Sequence, residues 1–167
     1  MSTPVGVFVG QGVGVPVEFG VKDGIRQRTY SAGMASGPYS RGAAVKRTTN
    51  EGEVDAAGTA DVIVAGVLGQ DVYDPAGIPA QVAENIFADG ILTFSQIGQP
   101  TSVWTLGEFF VTQVSGTVAY GDFMKPYDGG LWASNGATNT LLNGFVICTK
   151  GNNSVSGGAI QIAINLT

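Results

Sequence analysis

Residues Val114–Trp132 read VSGTVAYGDFMKPYDGGLW, and how they are read decides what kind of molecule this is. Asp122, Lys125, Tyr127 and Asp128 fall close together and would suit a catalytic cluster. The same residues also suit two strands and their turns. The apolar Val114, Val118, Phe123 and Met124 sit around Gly116 and Gly121, and glycine permits the positive φ that tight turns require. Asp122 follows Gly121, and Asp128 precedes Gly129 and Gly130; aspartate beside glycine forms turns. Lys125 precedes Pro126, which biases it to extended backbone. Each polar residue has a turn or strand role, and no nucleophile, base and orienting group stand together. The stretch predicts architecture rather than chemistry.

The same grammar extends in both directions. Short apolar or alternating runs are broken by Gly, Pro, Asn or Asp. Strands are expected in VGVFVG, VPVEFG, IRQRTY, AAVKRTT, DVIVAGVL, GILTFSQIG, GEFFVTQVSG, LLNGFVICTK and AIQIAINLT. The last alternates most clearly: Ile160, Ile162, Ile164 and Leu166 form one aliphatic face. ATNTLLN and GNNSVSGG read as polar turns, and PAQVAENIFADG (79–90) alone could hold a helical turn or two. The expected fold class is all-β, a small barrel or sandwich over residues 21–167. Residues 1–20 differ, with six valines from Val5 to Val17 among five glycines and two prolines. They are expected to form an extended N-terminal arm or an added strand.

Composition narrows function. The chain has 167 residues, a net charge of −5 and only 13% charged residues, where ordinary domains carry roughly 25%. With 44% apolar residues, little of the surface is dressed for water, which suits a protein covered by partners. Six of the eight basic residues lie between Lys22 and Arg47, where only Asp23 opposes them. By formal count that segment carries +5 and the remainder −10. Arg26 and Arg28, two apart, share one face of a strand. The split suits contact with an acidic neighbour or a sister subunit. Nucleic acid fits poorly, because the chain is acidic overall and the basic segment lacks interleaved aromatics.

The absence of histidine removes Ser-His-Asp triads, imidazole acid–base catalysis and the common zinc sites. Gly10–Gly14 (GQGVG) completes no phosphate-loop motif, and Pro16 follows where a helix should start. Asp71 and Asp74, and the alternating Glu51, Glu53 and Asp55, match no calcium-loop pattern. Cys148 lies in the apolar run FVIC and reads as a buried small hydrophobe. No enzyme activity, cofactor or metal is expected. MSTPVGVFVG has no signal-peptide pattern and no run suits a membrane span, so synthesis in a host cytoplasm is expected, with no membrane partner. The sequons at Asn152 and Asn165 then carry no glycan.

EFFVTQVSGTVAYGDFM (108–124) resembles the C-terminal strands of tailed-phage capsid decoration, or cement, proteins: a valine-rich strand, S-G-x-V-x-x-G-D, another strand and a Gly-rich turn. YSRGAAVKRT (39–48) and DVIVAGVLGQDVYD (61–74) are similar to two earlier pieces of that family, in the same order. The resemblance implies a virion structural protein on the capsid exterior, at junctions between major capsid subunits. It implies no catalytic residues. Its expected partners are the major capsid protein and itself, as a homotrimer before a dimer. Contacts are expected from Val5, Val7 and Val9 of the arm and from the basic Lys22, Arg26 and Arg28. The alternative is a head-fibre or glycan-binding adhesive module, whose sugar platform would have to come from Trp104 or Trp132.

Overall fold

The structure, a computed structural model, describes residues 26–32, 39–73 and 94–167, with the backbone alone at 26–32 and 94–96. It is all-β: the described residues form twelve strands and no helix. β1 (Arg26–Ala32), β2 (Ala44–Arg47), β3 (Glu53–Ala56), β4 (Gly66–Leu68), β7 (Pro100–Val111), β11 (Gly144–Lys150) and β12 (Ile160–Leu166) make one seven-stranded sheet, ordered β1-β3-β2-β4-β7-β12-β11. β8 (Val114–Ser115), β10 (Leu131–Ser134) and β9 (Met124–Tyr127) make a second sheet, and β5 (Asp71–Tyr73) with β6 (Phe94–Gln96) a third.

The large sheet curls back on itself. β1 pairs with β7 antiparallel and with β3 in parallel, so strands β1, β3, β2, β4 and β7 form a ring of pairings. The closing β1–β3 contact is only two residue pairs long, Ser31 with Glu53 and Ala32 with Val54. The result is a strongly curled sheet and not a fully hydrogen-bonded barrel. Thr105 forms a bulge where Gln27 pairs with Trp104 and Arg26 with Leu106, a device that increases local twist.

Two cores share one wall. Neighbouring residues on a strand face opposite sides of the sheet, and here both sides are dry. Ala44, Val64, Val67 and Trp104 enter one core, while Val45, Ala65, Leu68 and Val103 enter the other. The second core lies within the curl and also holds Ala43, Val54 and Val72. The first lies between β7–β12–β11 and the β8–β10–β9 sheet and holds Phe109, Met124, Trp132 and the four aliphatic residues of β12. Ring stacking of Trp104 on Phe109, with centroids 4.7 Å apart, joins the wall to that core. This explains the second half of DVIVAGVL, where Val64, Ala65, Val67 and Leu68 are buried on alternate sides, while Val62 and Ile63 before them are exposed. Only Gly66–Leu68 of that run is strand; Asp61–Ala65 is irregular, held at Val64 by the Asn143 side chain and at Val62 and Ala65 by backbone bonds to Leu142 and Val45.

Candidate functional site

The polar residues of the opening stretch do not converge. Asp122 Oδ2 accepts the Ala119 N–H at 2.9 Å and the Ser134 hydroxyl at 2.6 Å, closing its own turn. Asp128 Oδ1 instead accepts the Thr59 N–H at 3.1 Å and the Thr59 hydroxyl at 2.9 Å, pinning the β9–β10 turn to the connection after β3. Gly116, Gly121, Gly129 and Gly130 all take positive φ, as the turn reading requires. Both aspartates of the stretch are thus engaged by turn and loop donors.

Asp128 is held below the usual carboxylate range, first by the Thr59 N–H and then by the Thr59 hydroxyl. A depressed folded value stabilises the fold above the unfolded value of about 3.9 and ceases to do so as pH falls through the folded value. Asp128→Asn is therefore expected to melt below the native protein at pH about 5. That gap should narrow as pH falls below about 3.9 and close as it falls through the folded value; a gap unchanged between about pH 5 and about pH 3, measured by circular dichroism, would refute the staple.

The other carboxylates also hold backbone or neighbours. Asp71 Oδ1 accepts the Arg41 N–H at 2.8 Å; Asp74 lies outside the described residues. Glu53 Oε1 accepts Thr48 Oγ1 at 2.9 Å and Asn50 Nδ2 at 3.1 Å, so Glu53 and Asp55 belong to β3 and its turn. Asp61 pairs with Lys46 at 2.9 Å. That pair forms part of an open cleft of about 390 Å³ lined by Lys46, Arg47, Ala60, Asp61, Val62 and Ile63, which brings together no nucleophile and base. Among the described residues no three His, Cys, Asp or Glu side chains cluster as metal ligands would. Cys148 is buried, and burial raises its thiol pKa, so the reactive thiolate is disfavoured.

Of the expected contact residues, Val5, Val7, Val9 and Lys22 lie outside the described residues, as do the arm 1–20, the Gly10–Gly14 loop and segment 79–90. Arg26 and Arg28 lie on β1, opposite Leu106 and Val103 of β7. Trp104 and Trp132 are 3% and 0% exposed, so neither offers the sugar-stacking surface that an adhesive module would need.

Two asparagines matter more than the sequence suggests. Asn143 takes the Val64 N–H on Oδ1 at 3.2 Å and gives Nδ2 to the Val64 carbonyl at 2.7 Å, so one amide replaces a strand partner for the irregular segment. Asn152 accepts the Val118 N–H at 2.7 Å and donates to the carbonyls of Gly116 and Gly158. Asn143 stands where the expected turn ATNTLLN overlaps the expected strand LLNGFVICTK, and Asn152 in the expected turn GNNSVSGG; their partners Val64 and Val118 lie 79 and 34 residues away.

No protein-family model matches this chain, and no curated protein matches it. Among solved structures it is similar to the N base of the head fibre gp8.5 of bacteriophage phi29, at 12% identity and a TM-score of 0.45, covering 85% of this chain and 95% of that one. A likeness of that degree carries no inference about this chain's function.

Proposed function

We propose that the protein is a virion structural component that decorates a bacteriophage capsid and stabilises it at junctions between major capsid subunits. The observation that carries this reading is the decoration-protein pattern in EFFVTQVSGTVAYGDFM, whose aspartate, Asp122, is taken up in its own turn by the Ala119 N–H and the Ser134 hydroxyl. An assembly protein needs packed, weakly charged contact surfaces and no active site. A chain with 13% charged residues and two continuous cores fits that requirement.

In this reading residues 1–20 are the attachment element. Val5, Val7 and Val9 alternate as an added strand would, with main-chain bonds giving affinity and alternate side chains filling shallow apolar grooves. Lys22, Arg26 and Arg28 guide docking onto an acidic shell, so attachment weakens as salt rises. The test is deletion of residues 1–20, with folding followed by circular dichroism and attachment by co-sedimentation with undecorated capsids. The truncated chain should melt as the full chain does and lose most co-sedimentation. Undiminished attachment would reject the arm, and no attachment by the full chain would reject the decoration reading itself.

A further inference from the structure

The outer face of the β7–β12–β11 sheet breaks the usual alternation. An antiparallel sheet with one dry face normally turns polar residues to water on the other. Here the inner face packs into the first core through Phe109, Ile162 and Val146. Pairing across the sheet fixes three rows on the outer face. Phe145 stands beside Asn165 and Leu106; Ile147 beside Ala163 and Glu108; Lys150 beside Gln161 and Phe110. The β11 bulge at Thr149 puts Lys150, rather than its predecessor, into the last row. Phe110 and Phe145 are each 38% exposed, at opposite corners of the grid.

The charges on this face are also placed unusually. Glu108 lies on β7, at one side of the grid, and its Oε2 accepts a hydrogen bond from Gln161 Nε2 at 3.3 Å. Lys150 lies on β11, at the other side, and has no ion pair among the described residues, where Lys46–Asp61 is the sole one. The face thus has three apolar corners, Phe145, Leu106 and Phe110, with an acid on its β7 side and a base on its β11 side.

We infer that this face is the interface with a second copy of the chain, related by a two-fold axis running along β12. Such an axis lays β11 of each copy over β7 of its partner. Phe145 then meets Leu106, and the Lys150 stem crosses Phe110. Its ammonium reaches the partner's Glu108 one row away, about 7 Å along the strand. The opposite pair forms at the same time, because a two-fold contact is self-complementary. Face-to-face sheets pack at roughly −30°, an angle that keeps these rows in register near the centre. The pairing is independent of any capsid, and it favours a dimer over the trimer expected from the sequence.

The test is mass by light scattering at low micromolar concentration. The native chain should run at twice its 17.1 kDa. Phe110→Asp and Phe145→Asp should each run at 17.1 kDa and still unfold cooperatively, since both side chains face outward, with melting lowered toward that of a dissociated native chain at high dilution. Glu108→Lys and Lys150→Glu should each be monomeric alone and form a dimer when mixed, because mixing restores both ion pairs. Recovery on mixing distinguishes a two-fold contact from a three-membered ring, in which two kinds of subunit cannot alternate. A native monomer, a native trimer, or charge variants that fail to rescue each other would overturn the inference. If the face variants lose capsid attachment while the native chain is monomeric, the face meets the shell and not a second copy.

Discussion

Replacing Trp132 with alanine is expected to lower the unfolding free energy by about 3–5 kcal/mol, the usual cost of truncating a buried Trp or Phe. Trp132 heads the largest fully buried side chains and lies where the small sheet closes over the first core. Its backbone N–H donates to the Gln113 carbonyl at 2.7 Å, and its Nε1–H donates to the Gly42 carbonyl at 3.0 Å. The indole therefore fills the core and also terminates a backbone acceptor that precedes β2. Alanine opens a cavity and leaves that carbonyl without its partner, two separate losses. Trp132→Phe separates them: it keeps most of the apolar volume and removes only the hydrogen bond, for about 1–3 kcal/mol. Urea unfolding followed by circular dichroism measures both, with an unchanged m-value expected. A loss below about 1 kcal/mol for alanine would mean that the small sheet is not needed to close this core. Domain stabilities are commonly 5–15 kcal/mol, so the alanine variant should be near the limit of folding at growth temperature.

The strength of that prediction follows from something the sequence showed only in part. The alternation in AIQIAINLT is readable because period two with one aliphatic face has a single interpretation, and all four of its aliphatic residues are buried. The glycine-aspartate turns between Val114 and Trp132 are equally local, and their positive φ values follow from residue type. β3 and β5 were hidden because EVDA and DVY carry acidic residues on short strands. Their acidic side chains can lie at strand edges and bind nearby donors, so composition says turn while pairing says strand. The shared wall was hidden for another reason. An apolar run shows that both faces are dry, yet only tertiary structure shows that the dry faces belong to different cores. Asn143 and Asn152 are harder still, since a side-chain amide that substitutes for a strand partner has no local signature.

The shared wall is also where the smallest substitution should do the most damage. Gly66 begins β4, pairs with Val45 on one side, and precedes the Val67–Trp104 pairing with β7 on the other. Its φ is +154°, and a Cβ built there would strike the Trp104 carbonyl oxygen and come within 2.7 Å of Val103 Cγ1. The obstacle on the Trp104 side is backbone, which cannot rotate away as a flexible side chain can. Gly66→Ala must therefore push β4 off β7 or shift β7 itself, and either movement disturbs both cores at once. Backbone strain of about 1–3 kcal/mol adds to an overpacking cost of about 1–3 kcal/mol. Gly52→Ala is the matched control: its φ is +73°, and nothing lies within 4 Å of the added Cβ. It should lose only about 1 kcal/mol, the cost of a left-handed alanine. Thermal melts of the two variants decide the matter. Gly66→Ala should melt far below Gly52→Ala or fail to accumulate as soluble protein. Equal melting of the two would show that β4 can leave β7 without cost, and that the two cores do not depend on a common wall.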